Sequence, residues 1–304
     1  MIAKKIKNYI TVAGVLFICC PYILRAQSQY SAEFTVSLGA GSSGLKYQIN
    51  GEQSKSRFGG EVGVDYSHYF SKMVGISLGL EAGMFAGSIN MQSISYKQPI
   101  ETLPEVYGTF LLQADYTGFK EKQNVLLLQI PVMLRFQFPV SEKAFLFLGT
   151  GIKAGFPVSS KWNQNTATLT TVGYSEYTYQ QYADMPNHGF STFSDVSASG
   201  KLELKTPVLF ALEGGLKMSI GEGKYLYTGV FLDYGLNDIL KKPEKAYLLE
   251  YNSASPADYN YNSILTTNQY SVPGGIKPFA VGIKFKMGFG IGMGKKPEPI
   301  WCCE

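Results

Sequence analysis

The sequence predicts an all-β fold: an eight-stranded antiparallel transmembrane β-barrel, an up-and-down meander with long extracellular loops. Three observations predict it. Apolar residues alternate with polar residues or glycine at a period of two in eight separate segments. The non-apolar face of those segments is rich in glycine, which a narrow lumen needs and a solvated surface does not. The connections alternate, short after segments two, four and six and long elsewhere, as in barrels with short periplasmic turns and long external loops.

Taken in order, the first segment sets Phe34, Val36, Leu38 and Ala40 against Glu33, Thr35, Ser37 and Gly39. In the second, Phe58, Val62, Val64 and Tyr66 oppose Arg57, Gly59, Glu61, Gly63 and Asp65. Ser71-Lys72-Met73 makes a short turn into Val74, Ile76, Leu78, Leu80 and Ala82, interleaved with Gly75, Ser77, Gly79, Glu81 and Gly83. The fourth segment runs Leu126, Leu128, Ile130, Val132, Leu134, Phe136, with Gln129, Pro131, Arg135 and Gln137 on its other face. A turn near Pro139–Lys143 leads to the fifth, where Leu146, Leu148, Ile152 and Phe156 oppose Gly149, Gly151, Lys153 and Gly155. Val208, Phe210, Leu212 and Leu216 alternate with Glu213, Gly215 and Lys217 in the sixth. After Gly221-Glu222-Gly223-Lys224, Val230, Leu232, Tyr234 and Leu236 alternate with Gly229, Asp233, Gly235 and Asn237. The eighth is the most regular, Phe279 to Phe289 on one face and Ala280 to Gly290 on the other. The external loops are expected at about 42–56, 91–121, 158–205 and 241–276. The alternating Tyr174, Tyr177, Tyr179 and Tyr182 suggest strands that project above the membrane. A ten-strand count, splitting the second loop at Val106–Tyr116, is the competing topology.

Composition agrees with a barrel without requiring one. Tyr 21, Phe 19 and Gly 33 are high in 304 residues, and charged residues make up only 16%. A soluble β-sandwich shares such a composition. Lys4, Lys5 and Lys7 precede an apolar run, Ile10–Ile18, that is too short to span a bilayer, and Ala26 offers a cleavage point. Residues 1–26 therefore read as a signal peptide, 27–290 as the barrel and 291–304 as a periplasmic tail. With Arg25, the leader holds four of the 27 Lys and Arg, which leaves 23 against 23 Asp and Glu. A neutral mature chain gives no electrostatic support for a nucleic-acid partner. Cys19 and Cys20 raise a lipoprotein alternative, but bulky Phe17 and Ile18 precede them. Cys302 and Cys303 lie in the tail, so the body lacks cysteine for a disulfide framework or a thiolate metal site.

Placing the polar face inside gives an expected lumen network. Its acids are Glu33, Glu61, Asp65, Glu81, Glu213 and Asp233. Its bases are Arg57, Arg135, Lys153, Lys217, Lys284 and Lys286. Eight strands enclose an interior that side chains fill, so these charges must pair. Tyr66, Tyr69, Phe70, Trp162, Tyr225 and Tyr227 fall near strand ends and are expected as interface aromatics. No enzyme is predicted. His68 lies on the lipid-facing register near the periplasmic rim, and His188 lies in the third loop near Asp184 and Ser191. Neither shares a face with a Ser and a carboxylate at triad spacing. No cofactor or metal spacing is present.

Leu126-Leu127-Leu128-Gln129-Ile130-Pro131-Val132, Phe147-Leu148-Gly149-Thr150-Gly151 and Asp233-Tyr234-Gly235-Leu236-Asn237-Asp238-Ile239 resemble stretches of the bacterial outer-membrane β-barrel family that includes PorT-type and OmpA-type barrels. The resemblance covers about residues 29–290. It implies location in the cell outer membrane of a Gram-negative envelope, with outer-membrane lipids, lipopolysaccharide and the barrel-assembly machinery as partners. OmpA-type members carry a peptidoglycan-binding domain after the barrel, and Gly294-Lys295-Lys296-Pro297-Glu298-Pro299 looks like the start of the linker to one. PorT-type members act in protein secretion to the cell surface. The expected function is a structural or surface-interaction barrel with a filled lumen, displaying its loops for envelope integrity or for contact with a surface ligand or protein. The alternative is a component of a secretion or narrow transport apparatus.

Overall fold

The structure, a computed structural model, describes residues 32–101, 109–252, 254–255, 258–270 and 272–291. The expected signal peptide, the tail from residue 292 and both cysteine pairs lie outside the described residues. Eight strands form the barrel: β1 Ala32–Lys46, β2 Lys55–Tyr69, β3 Val74–Glu101, β4 Thr109–Pro139, β5 Ala144–Ser175, β6 Val208–Gly221, β7 Lys224–Gly235 and β8 Lys277–Ile291. Each pairs antiparallel with its sequence neighbours. Strand β8 then pairs with β1 from Ala32↔Ile291 to Lys46↔Lys277, which closes the ring. Closure removes the sheet edges that lipid would leave unbonded.

The alternation foreseen from sequence sorts the two faces. Leu38, Leu78, Val132, Ile152, Val230 and Ile283 are among the exposed apolar side chains of an outward belt, and Glu33, Glu81, Lys153 and Asp233 are buried inside. A closed ring with a belt of this kind is a membrane-crossing barrel, the architecture that places a chain in an outer membrane. No helix among the described residues is long and apolar enough to cross a membrane, so the crossing is made by strands.

The three short turns lie at one end. At the first, Ser71 Oγ accepts the Val74 N–H at 3.0 Å. At the third, Gly223 takes a φ of +64°, a left-handed conformation that glycine adopts at no steric cost. By the short-turn rule this end is periplasmic.

The opposite end departs from the expected loops. A membrane strand needs about 9–11 residues, yet β3, β4 and β5 have 28, 31 and 32. Most of the segments expected as loops 91–121 and 158–205 is therefore strand that continues upward from the barrel wall. Residues 109–116 belong to β4 without interruption, so the ten-strand alternative does not hold for the ring. Thr192–Lys201 pairs along β5 and widens this extension to four strands. Residues 102–108, between β3 and β4 in sequence, lie outside the described residues.

The three long strands also change what they hold. On the inner face of β4, Gln137, Arg135 and Gln129 give way upward to Leu127, Val125 and Phe119, all buried. Outside, the lipid-facing Leu134, Val132 and Ile130 give way to exposed Asn124, Lys122 and Lys120. The lower section is thus apolar outward and charged inward, as lipid requires. The upper section is polar outward and apolar inward, as water requires. The segment that runs from Ile239 to Ile276 completes the upper core, where Leu248, Leu249, Ile264 and Leu265 pack with Phe119, Leu112 and Leu169.

Candidate functional site

At membrane level the inward side chains form one ion-paired mesh. Lys153 is its hub, with Nζ 2.7 Å from Asp233, 2.9 Å from Glu81 and 3.4 Å from Glu61. Lys284 reaches Glu61 at 2.5 Å and Glu81 at 2.8 Å. Lys286 lies 2.6 Å from Glu213 and 3.8 Å from Asp65. Arg135 bridges Asp65 at 3.1 Å and Glu213, and its Nε donates to Ser77 at 2.8 Å. Nearer the periplasmic turns, Lys217 pairs with Glu33, which also accepts the Tyr227 hydroxyl. Lys217 sits 4.2 Å from the Tyr225 ring and 5.3 Å from the Tyr69 ring, so aromatic faces complete its shell.

Eleven of the twelve charges expected in the lumen are buried, nine of them linked in the mesh and Glu33 and Lys217 paired with each other; Arg57 is the exception. Against β3, β2 slips by one residue between Ser56 and Glu61. The slip breaks the alternation there, and Arg57 and Phe58 are both exposed on the outside. Six carboxylates therefore meet five cations. Among the described residues, voids lined by these side chains measure about 20 Å³ and 10 Å³, each with room for a water or so.

The aromatics divide differently from the expectation. Tyr66 and Phe70 face outward, 46% and 65% exposed, as a girdle would. Tyr69, Tyr225 and Tyr227 are buried in the lumen. Their positions share the odd parity of Asp65 and Asp233, so alternation aims them inward. Trp162 is also buried, at 5% exposure, with its ring against Gly200 in the extracellular extension. The register between β4 and β5 shifts at Pro157–Ser159, where Val158 is the extra residue, and that bulge turns even positions inward above it. His68 is exposed on the outer face with its ring 5.7 Å from Phe70. His188 ends a single 3-10 turn, Pro186–His188, and is exposed. Among the described residues no hydrogen bond joins it to Asp184 or Ser191, and no three His, Cys, Asp or Glu side chains are placed to hold a metal ion.

A second polar cluster, which sequence reasoning missed, lies above the membrane. Glu121 is fully buried on β4 and accepts the Ser263 hydroxyl at 2.6 Å, the Ile264 N–H at 2.9 Å and the Gln123 amide at 2.8 Å. Gln123 in turn accepts the Tyr47 hydroxyl at 2.8 Å. No cation faces Glu121 among the described residues, and burial pushes its carboxyl up to about 7. The same burial, with Glu121 nearby, pushes the Tyr47 phenol upward. Higher still, Tyr96 accepts the Leu249 N–H at 2.9 Å and Gln98 donates to the Leu249 carbonyl at 3.1 Å. These bonds fasten the 239–276 segment to the strands. The signal for Glu121 was its parity with Gln123 and Val125, readable only once 109–121 is known to be strand.

No protein-family model and no curated protein matches the chain. Among solved structures it is similar to the attachment invasion locus protein Ail of Yersinia pestis, at 12% identity over 85% of this chain and 99% of that one, TM-score 0.29. It is similar to OprG from Pseudomonas aeruginosa, at 13% identity over 85% and 97%, TM-score 0.27. The translocator domain of the autotransporter NalP from Neisseria meningitidis matches at 9% identity over 95% and 98%, TM-score 0.21.

Proposed function

We propose that this protein is a non-conducting, non-catalytic outer-membrane scaffold that holds a rigid folded tower above the bilayer for contact with a surface ligand or partner. The observation that carries this reading is the change of interior along β3, β4 and β5 from an ion-paired mesh to an apolar core. Among the described residues the mesh fills the membrane-level interior, where a solute would have to pass. The core makes the projecting part a packed body rather than a set of free loops, so its outer surface is preorganised for binding. A plugged lumen of paired charge also favours the scaffold over a secretion or transport component.

Planar-bilayer recording of the refolded full chain tests the proposal. The expected trace is flat at modest voltage. A stable, reproducible conductance would overturn the scaffold reading and favour the transport one.

A further inference from the structure

Where β4 and β5 leave the lipid belt, their outward faces carry cations at adjacent positions. Lys161 of β5 stands directly opposite Lys201 in the antiparallel pairing. Directly opposed side chains on one face of a sheet sit about 4.5–5.5 Å apart at Cβ, and like charges there repel. Lys122 of β4 pairs with Asn163, two residues along from Lys161, and so lies diagonally about 7–8 Å away. Lys122, Lys161 and Lys201 are all exposed, with Asn124 and Asn163 exposed between them. None of the three has an ion pair among the described residues. The nearest outward carboxylate in sequence, Glu203, is taken by Lys241 at 2.7 Å. A second opposed pair, Lys46↔Lys277, stands on the β1–β8 seam.

Clustered positive charge that finds no carboxylate costs stability, and here it sits a few residues beyond exposed Val158 and Phe156, the last belt residues of β5. That height is the headgroup level of the outer leaflet. Lysines at a membrane boundary also extend along the surface and reach down to headgroups.

We propose that Lys122, Lys161 and Lys201 form a binding site for the phosphate groups of an outer-leaflet glycolipid. A phosphate monoester carries up to two negative charges and three acceptor oxygens, enough to neutralise the opposed pair and to engage the third lysine. The flanking Asn124 and Asn163 amides supply neutral donors for sugar hydroxyls. The site deepens the scaffold reading, because it seats the tower on the leaflet beneath it, but it depends on the outward lysines alone and survives if the lumen proves to conduct.

The test uses the folded full chain in an uncharged detergent, titrated with diphosphoryl lipid A or its dephosphorylated counterpart and read by native mass spectrometry. Tighter binding of the diphosphoryl form is expected. Lys122→Gln/Lys161→Gln/Lys201→Gln should weaken it about a hundredfold, at roughly fivefold per lysine near a charged surface. Lys72→Gln/Lys143→Gln/Lys224→Gln, the same charge change at the periplasmic rim, should leave it unchanged. Heat-modifiable migration reports that both variants fold. Equal binding by the first variant and the wild type would overturn the site, as would equal affinity for the dephosphorylated lipid. Full displacement by millimolar inorganic phosphate would overturn the lipid assignment in favour of a free-anion site.

Discussion

Glu121 and Ile264 are joined by a 2.9 Å hydrogen bond across 143 residues of sequence, which ties the 239–276 segment to the wall of the tower. The groups facing that carboxyl are a hydroxyl, an amide and a backbone N–H, with the Tyr47 phenol beyond Gln123. Burial raises its pKa from 4.5 to about 7. A raised acid holds its proton while the segment is docked over it, and gives the proton up once release of the segment exposes Glu121 to water. Docking is therefore strongest below about pH 4.5, weakens as pH rises to about 7, and levels off above it. The full span amounts to about 3 kcal/mol at most. Amide protection factors within 258–270, which remove the intrinsic pH dependence of exchange, should fall from pH 5 to pH 8 in the wild type. Glu121→Gln should flatten that slope, and a slope unchanged by the substitution would refute the assignment.

Lys153 is the one cation in ion-pair contact with Asp233 among the described residues, while Glu61 and Glu81 keep Lys284. Lys153→Met preserves volume but strands a buried carboxylate, a loss of about 3–5 kcal/mol. The midpoint of urea unfolding, followed by heat-modifiable gel migration, should fall accordingly. Lys153→Met/Asp233→Leu removes both charges and should recover most of the loss. A double variant as weak as the single one would show that Asp233 is not what Lys153 satisfies.

The sequence revealed the ring because lipid and lumen impose opposite demands on successive residues, and a period of two records them directly. It revealed most of the mesh for the same reason: once Glu61 faces inward, so must Asp65 and Tyr69. Parity was also enough to place Tyr225 and Tyr227 with Asp233, and their aromatic chemistry suggested the girdle instead. Trp162 and Arg57 were not legible, because each lies beyond a register slip that one residue introduces and only the neighbouring strand reveals. The tower was hidden more deeply. Ile89 and Met91, or Leu112 and Ala114, alternate with polar neighbours as a soluble sheet would, so the outward-apolar pattern ends where the strands do not.

Trp162 offers a spectroscopic check on that correction. In a Trp301→Phe background, lipids brominated along their chains should leave its fluorescence unquenched, because its ring packs against Gly200 inside the extension. Emission should be shifted to the blue, as for an indole in an apolar core. Tyr66→Trp in a Trp162→Phe/Trp301→Phe chain supplies the opposite case, an outward girdle position at which brominated lipid should quench strongly. Quenching of Trp162 to the same extent would return it to the lipid boundary.

Closure of the ring depends on two glycines that face each other across the seam, Gly41 of β1 and Gly282 of β8. A Cβ on Gly41 would fall 2.2 Å from the Val281 carbonyl oxygen and 2.4 Å from the Gly282 Cα. Both are backbone atoms of the partner strand, so no side-chain rotation relieves the overlap and the strands must part. Gly41→Val should therefore reduce the yield of the fast-migrating folded form on refolding, with Gly41→Ala intermediate. The control is Gly214→Ala on β6, where a Cβ would meet only the Phe147 oxygen at 3.4 Å and the Leu148 Cδ1 at 3.5 Å. The seam is the last pairing the chain can make, since it joins its first strand to its last. The Gly41 variants should consequently accumulate open, protease-sensitive sheets, while Gly214→Ala folds as the wild type does. Wild-type yields from Gly41→Val would mean that the seam tolerates a wider spacing than the register allows.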